Sequence, residues 1–151
     1  MRFRGRIDRV DDVGGAGVRV VDYKTGSSRP YRRDSFEGGR QLQLPIYLLA
    51  ACGEAGVESG SCGYLFVSGP RWMSEPDRES LAERFGDFSR AVSLILTGIT
   101  GGDFFPLPTD VATCERYCPY RHVCGAGRDV LAEMKRTDPD LRDLNELRGI
   151  R

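Results

Sequence analysis

The chain has 151 residues, 40% of them apolar and 29% charged, which suits one packed domain with a tail and excludes a disordered or fibrous composition. Its 22 Lys and Arg balance 22 Asp and Glu, so bulk charge does not announce a polyanion partner, although Arg2, Arg4, Arg6 and Arg9, then Arg29, Arg32, Arg33 and Arg40, form local basic clusters. No apolar run approaches the roughly 20 residues of a membrane span, and the first ten residues lack the apolar centre of a signal peptide, so a soluble, cytoplasmic protein with no membrane partner is expected.

Residues 2–10, RFRGRIDRV, alternate as a strand does, with Phe3, Gly5, Ile7 and Arg9 on one face and Arg4, Arg6, Asp8 and Val10 on the other. The turn formers DDVGGAG follow, and VRVVDYKTG resumes a β-branched pattern up to Gly26, which predicts a hairpin. Asp22 and Lys24 are two apart and share a face of its second strand. Next, GGRQLQLPIYLLAACGEAG spaces its apolar residues as a helix does, from beyond Gly39 to Gly53 or Gly56, with Pro45 in an early turn that tolerates proline. Gln43 and Tyr47, four apart, lie on one face of that helix.

SCGYLFVSG predicts a further strand, and SEPDRESLAERFGDFSRAVSLILTGITGG predicts one long amphipathic helix capped by Ser74 or Asp77. DFFPLPTDVATCERYCPYRHVCGAG then forms a compact cysteine-bearing loop. A charged, weakly amphipathic segment runs from Arg128 to Asp138-Pro139, and DLRDLNELRGIR closes as a short helix or a frayed tail.

The chemistry concentrates in Asp8 and in Asp22-Tyr23-Lys24 on the paired strands. Opposed strand positions have Cβ atoms about 4.5–5.5 Å apart, so two carboxylates there repel unless a cation lies between them. Few hard oxygen ligands, with room for water and phosphate, suit magnesium or manganese (Mg2+ or Mn2+) better than zinc. Lys24 would add a positive charge beside the ion, and it stands out because Lys24 and Lys135 are the only lysines among 22 basic residues. The plainer alternative is a hairpin face with a salt bridge between Asp22 and Lys24 or Arg6.

In that order, GRIDRVD, VVDYKTG and QLQLPIY resemble the PD-(D/E)XK nuclease superfamily, in particular the RecB-like and AddB-like exonuclease domains of bacterial helicase-nucleases; with the cysteine loop the resemblance covers most of residues 5–124. It implies an α/β fold with a restriction-endonuclease-like mixed sheet flanked by helices. It further implies that Asp8 and Asp22 are metal ligands, that the Tyr23 carbonyl completes the shell, and that Lys24 is the catalytic lysine. Gln43 and Tyr47 match the Q-x-x-x-Y motif that places nucleic acid and orders the site. For Tyr47 alone, an ordinary core aromatic is the plainer reading.

Five cysteines are present, three of them within CERYCPYRHVC, which without a secretory signal favours metal or cluster ligation over disulfides. The resemblance implies that Cys114, Cys118 and Cys124 belong to a 4Fe-4S cluster, which usually needs four thiolates, the fourth lying far upstream in AddB-like domains. This chain departs from the pattern in the spacing of Cys114 and Cys118 and has no cysteine before Cys52. The helix carrying a His or Glu metal ligand, expected ahead of GRIDRV, is also absent, so an amino-terminally truncated domain is expected. Cys52 and Cys62 read as buried free thiols. His122 with the three loop cysteines offers a zinc site, and three free cysteines remain a further alternative.

The resulting expectation is a nuclease core over 1–110 lacking its first helix, a cluster loop over 111–127 and a charged helical tail over 128–151. The function expected is metal-dependent hydrolysis of DNA, single-stranded or at duplex ends, beside a helicase in recombination and double-strand break repair. Two other classes stay open: a non-catalytic DNA-binding module and a zinc-bearing interaction domain.

Overall fold

A computed structural model describes residues 3–26, 35–68, 71–74, 77–105, 107, 111–120, 122–124 and 127–151. Arg2, Arg29, Arg32 and Arg33 lie outside the described residues. Four strands, β1 (Arg9–Asp12), β2 (Val18–Lys24), β3 (Gly60–Phe66) and β4 (Arg71–Ser74), form one sheet in the order β1-β2-β3-β4. β2 and β3 are parallel, and the two outer pairings are antiparallel. Parallel neighbours need a crossover, and α1 (Gln43–Ala55) supplies it.

The hairpin is present, but its first strand lies further along than the alternation over 2–10 suggests. Arg9 pairs with Val21 and Asp12 with Val18, so the ladder takes in the acidic end of the turn sequence. Gly17 sets the start of β2: its φ is +100°, and a Cβ there would stand 2.0 Å from the Ser59 carbonyl oxygen.

The main core lies between the sheet and α1. Val18 and Val20 from β2 and Cys62, Tyr64 and Phe66 from β3 meet Leu44, Leu48, Ala51 and Cys52 from α1. α1 begins at Gln43 with Pro45 in its first turn and ends at Gly56, whose left-handed φ of 65° lets its N–H reach the Cys52 carbonyl. Buried Cys52 and Cys62 belong to this core, as small apolar groups.

The long helix expected after β3 is two helices, α2 (Arg78–Glu83) and α3 (Phe85–Gly101), and β4 precedes them. Asp77 caps α2, its carboxylate accepting the Ser80 N–H at 2.9 Å, whereas Ser74 ends β4. The break falls at Arg84, whose guanidinium stacks over the Phe36 ring at 4.5 Å and reaches the Arg151 carbonyl oxygen. The cysteine-bearing segment contains a short helix, α4 (Val111–Tyr117), followed by α5 (Arg128–Arg136). The end of the chain forms α6 (Arg142–Gly149), joined to α3 by Arg90 and Glu146 at 2.5 and 2.7 Å. Leu107, Ala132 and Leu141 make a second, small core beneath these last helices.

Candidate active site

β2 ends beside the first turn of α1, and there a polar group enters the core. Alternation turns Val18, Val20, Asp22 and Lys24 toward α1. Among the described residues Asp22 is the buried charged side chain, at 4% exposure. Gln43, the first residue of α1, ties the group together. Its Nε2 donates to Asp22 Oδ1 at 2.9 Å and to the Tyr47 hydroxyl at 3.3 Å, while its Oε1 accepts from Lys24 Nζ at 3.1 Å.

Lys24 Nζ also lies 2.6 Å from Asp22 Oδ2. That contact is electrostatic, at an angle outside a directed hydrogen bond, so this buried oxygen keeps acceptor capacity. The Asp22–Lys24 salt bridge of the plainer reading is therefore present, but in a setting unlike a surface pair. Burying a carboxylate this deeply is costly unless polar partners face it, and Gln43 and Lys24 are those partners.

Asp8 stands one residue ahead of β1, where pairing with β2 stops. Continuing the register by one step sets Asp8 opposite Asp22. Its Oδ2 accepts the Tyr23 backbone N–H at 3.0 Å, filling the place of a missing strand partner. Asp8 is solvent-exposed and so lies at the rim of the buried group. The segment leading to it crosses the Tyr47 ring at Gly5, where a Cβ would stand 3.2 Å from Tyr47 Cε1.

The structure thus joins Asp22, Lys24, Gln43 and Tyr47 in one hydrogen-bonded set and attaches Asp8 through Tyr23. Tyr64, on which no motif falls, lies under this set with its ring centroid 5.0 Å from Lys24 Nζ. The signal for it was the alternation Cys62, Tyr64, Phe66, which puts it on the α1 side of β3.

The loop cysteines lie apart from this site. Cys114 is on α4, and the Cys118 N–H bonds back to the Cys114 carbonyl at 3.1 Å, one helical turn on. Desolvation, and then the neighbouring Cys118 and Cys124 thiols, push the Cys114 thiol up from its ordinary value. Cys124 and His122 are exposed. Among the described residues no three His, Cys, Asp or Glu side chains are arranged to hold a metal ion, either here or beside Asp22.

The sequence profile of the PD-(D/E)XK nuclease superfamily matches residues 1–125. The chain belongs to that superfamily. The mixed α/β architecture agrees with it, and its members typically use divalent metals. A 49-residue stretch, 30% of this chain, is 45% identical to an ATP-dependent helicase/deoxyribonuclease subunit from two Clostridium perfringens strains and 43% identical to its counterpart from a third. The stretch spans only 4% of the length of those relatives. No solved structure matches the chain. No helix among the described residues is long and apolar enough to cross a membrane.

Proposed function

We propose that this superfamily member is a metal-dependent deoxyribonuclease domain, and that it cuts phosphodiester bonds with Asp8, Asp22 and Lys24 at the end of β2. The observation that carries this reading is the Gln43 amide, which holds a buried carboxylate and an ammonium together at a strand terminus facing solvent. So costly a burial is a weak stability device, which favours a chemical role for the pair.

The residues suit a hard divalent cation. Asp22 Oδ2 has spare acceptor capacity, Asp8 lies at the adjacent rim, and magnesium typically binds through one or two carboxylates with water and substrate phosphate around it. Asp8 and Asp22 would hold the ion, with the Tyr23 carbonyl as a further oxygen. Such an ion lowers the pKa of a water and offsets charge on a phosphoryl oxygen. The chain's own contribution is positional. Gln43 fixes the Asp22 carboxylate, Lys24 offers positive charge where a phosphorane builds negative charge, and Tyr47 locks the Gln43 amide in the orientation both need.

The wider setting is part of the same proposal. The domain, with its core over 1–110, would serve beside a helicase in recombination and double-strand break repair in the cytoplasm, on single-stranded or duplex-end DNA. Cys114, Cys118 and Cys124, within 111–127, would hold a 4Fe-4S cluster whose fourth ligand comes from elsewhere, or zinc with His122. A non-catalytic DNA-binding role is the second reading, favoured by the presence of only two carboxylates at the site among the described residues.

The test is cleavage of single-stranded DNA with Mg2+ or Mn2+. Lys24→Ala is expected to lose about 10²–10³-fold in rate, the usual consequence of removing a transition-state charge partner. Equal rates in wild type and variant refute the site, and DNA binding without cleavage by the wild type supports the second reading.

A further inference from the structure

Of the groups gathered at the end of β2, Lys24 is the least constrained by its own chemistry. Asp22 has a short side chain, and the Gln43 amide is held through contacts to Asp22, Lys24 and Tyr47. Lys24 reaches the site on a flexible four-carbon stem with its side chain 23% exposed. Contacts to Asp22 and Gln43 restrain the ammonium, yet Lys24, unlike the buried Asp22, is partly exposed, so water can compete for the ammonium itself.

Tyr64 lies where it can decide that competition. The parallel register sets it directly beside Asp22 on β3, and Phe66 beside Lys24. Its ring is buried at 3% exposure and braced by the Phe66 ring, centroid to centroid 6.4 Å at a 57° tilt. Lys24 Nζ stands 5.0 Å from the Tyr64 centroid, inside the roughly 6 Å over which a ring quadrupole attracts a cation. A fixed aromatic wall at that distance favours the ammonium over the site and occupies volume that water would otherwise take. An aliphatic side chain fills the volume without the attraction.

We propose that Tyr64 is the positioning residue for Lys24, holding its ammonium against Asp22 and Gln43 through the ring rather than through contact with substrate. For catalysis this rests on the nuclease reading above; for the placement of Lys24 it does not. The two-lysine composition allows a direct test by nuclear magnetic resonance. In protein carrying isotopically enriched lysine, the Lys24 Cε–H signals are expected upfield of those of Lys135, with a nuclear Overhauser contact to the Tyr64 ring in the wild type. Tyr64→Phe should keep the offset, and Tyr64→Leu should collapse it toward the Lys135 position. Coincident lysine signals in the wild type, absence of the ring contact, or an offset that survives Tyr64→Leu overturns the proposal without any substrate being present.

On DNA, Tyr64→Leu is expected to lower kcat about tenfold with KM little changed, and Tyr64→Phe to restore it, as loss and recovery of a desolvated cation–ring attraction predict. Equal kcat in the Leu and Phe variants counts against the proposal. A wild-type protein that shows the ring-shifted Lys24 signal but cleaves nothing counts against the nuclease reading and leaves the role of Tyr64 in placing the lysine standing.

Discussion

The β2–α1 corner and the cysteine segment both carry residues that chemistry singles out, and they are built in different ways. At the corner Asp22, Lys24, Gln43 and Tyr47 are held in one hydrogen-bonded set. Alternation points Asp22 and Lys24 toward α1, the crossover brings Gln43 to them, and Val20, Leu44 and Leu48 belong to the buried core of the same sheet and helix. The cysteine segment has a short helix, three thiols of which one is exposed, and outward-facing Tyr117, Tyr120 and Val123. Its underlying core consists of Leu107, Ala132 and Leu141, with Leu144 beside them. The contrast separates a site whose geometry is fixed by sheet packing from a segment whose thiols sit on a short helix and its exposed continuation over a small core.

Core truncation should break that contrast most strongly. Leu48→Ala, at a fully buried position under the corner, is expected to cost about 2–5 kcal/mol, and Leu141→Ala to fall at the low end of that range because its small cluster can collapse. Urea unfolding measures both, and hydrogen exchange should show the Leu141 variant opening α6 ahead of the sheet. Equal costs with global opening in both would merge the two regions into one cooperative unit.

Cys118→Ser sharpens the comparison from the other side. With iron and zinc content recorded, the variant is expected to lose bound metal and to melt about 2–4 °C lower for each kcal/mol of metal-derived stability removed. The lysine signals at the corner should not move. Unchanged melting and metal content would leave three free cysteines as the account of this segment.

The corner's parts were legible in the sequence because each rests on a local period. Strand alternation paired Asp22 with Lys24, and helical spacing paired Gln43 with Tyr47. Their mutual hydrogen bonds were not legible from spacing alone, because they depend on how the crossover lays α1 against β2. The misread elements have similar causes. β4 is four residues long and pairs only through β3, too short for a period to register. Helical periodicity runs straight through Arg84, yet there the backbone leaves helical geometry, at φ −103° and ψ 13°, and the side chain reaches Phe36 and Arg151, contacts that no sequence period encodes. The arginine-rich start alternates like a strand over residues 2–10, yet β2 pairs with Arg9–Asp12, so only the end of that alternation lies in the ladder.

The smallest expected effect lies at the α2 cap. The Ser80 backbone N–H and hydroxyl hold the Asp77 carboxyl below its ordinary value. Its contribution is therefore complete above the unfolded carboxyl value of about 3.9 and is lost as pH falls through the lower folded value. Asp77→Ala should cost about 1 kcal/mol at pH 7. That gap should narrow in strongly acidic solution, as paired urea melts at the two pH values would show.

The most direct test of the central claim is manganese titration of the lysine-labelled protein. Convergence of Asp8, Asp22 and Lys24 on one divalent ion predicts that Mn2+ broadens the Lys24 signals at concentrations that leave Lys135 sharp, and that Asp22→Asn removes this selectivity. Equal broadening of both lysines, or selective broadening that survives Asp22→Asn, would contradict it.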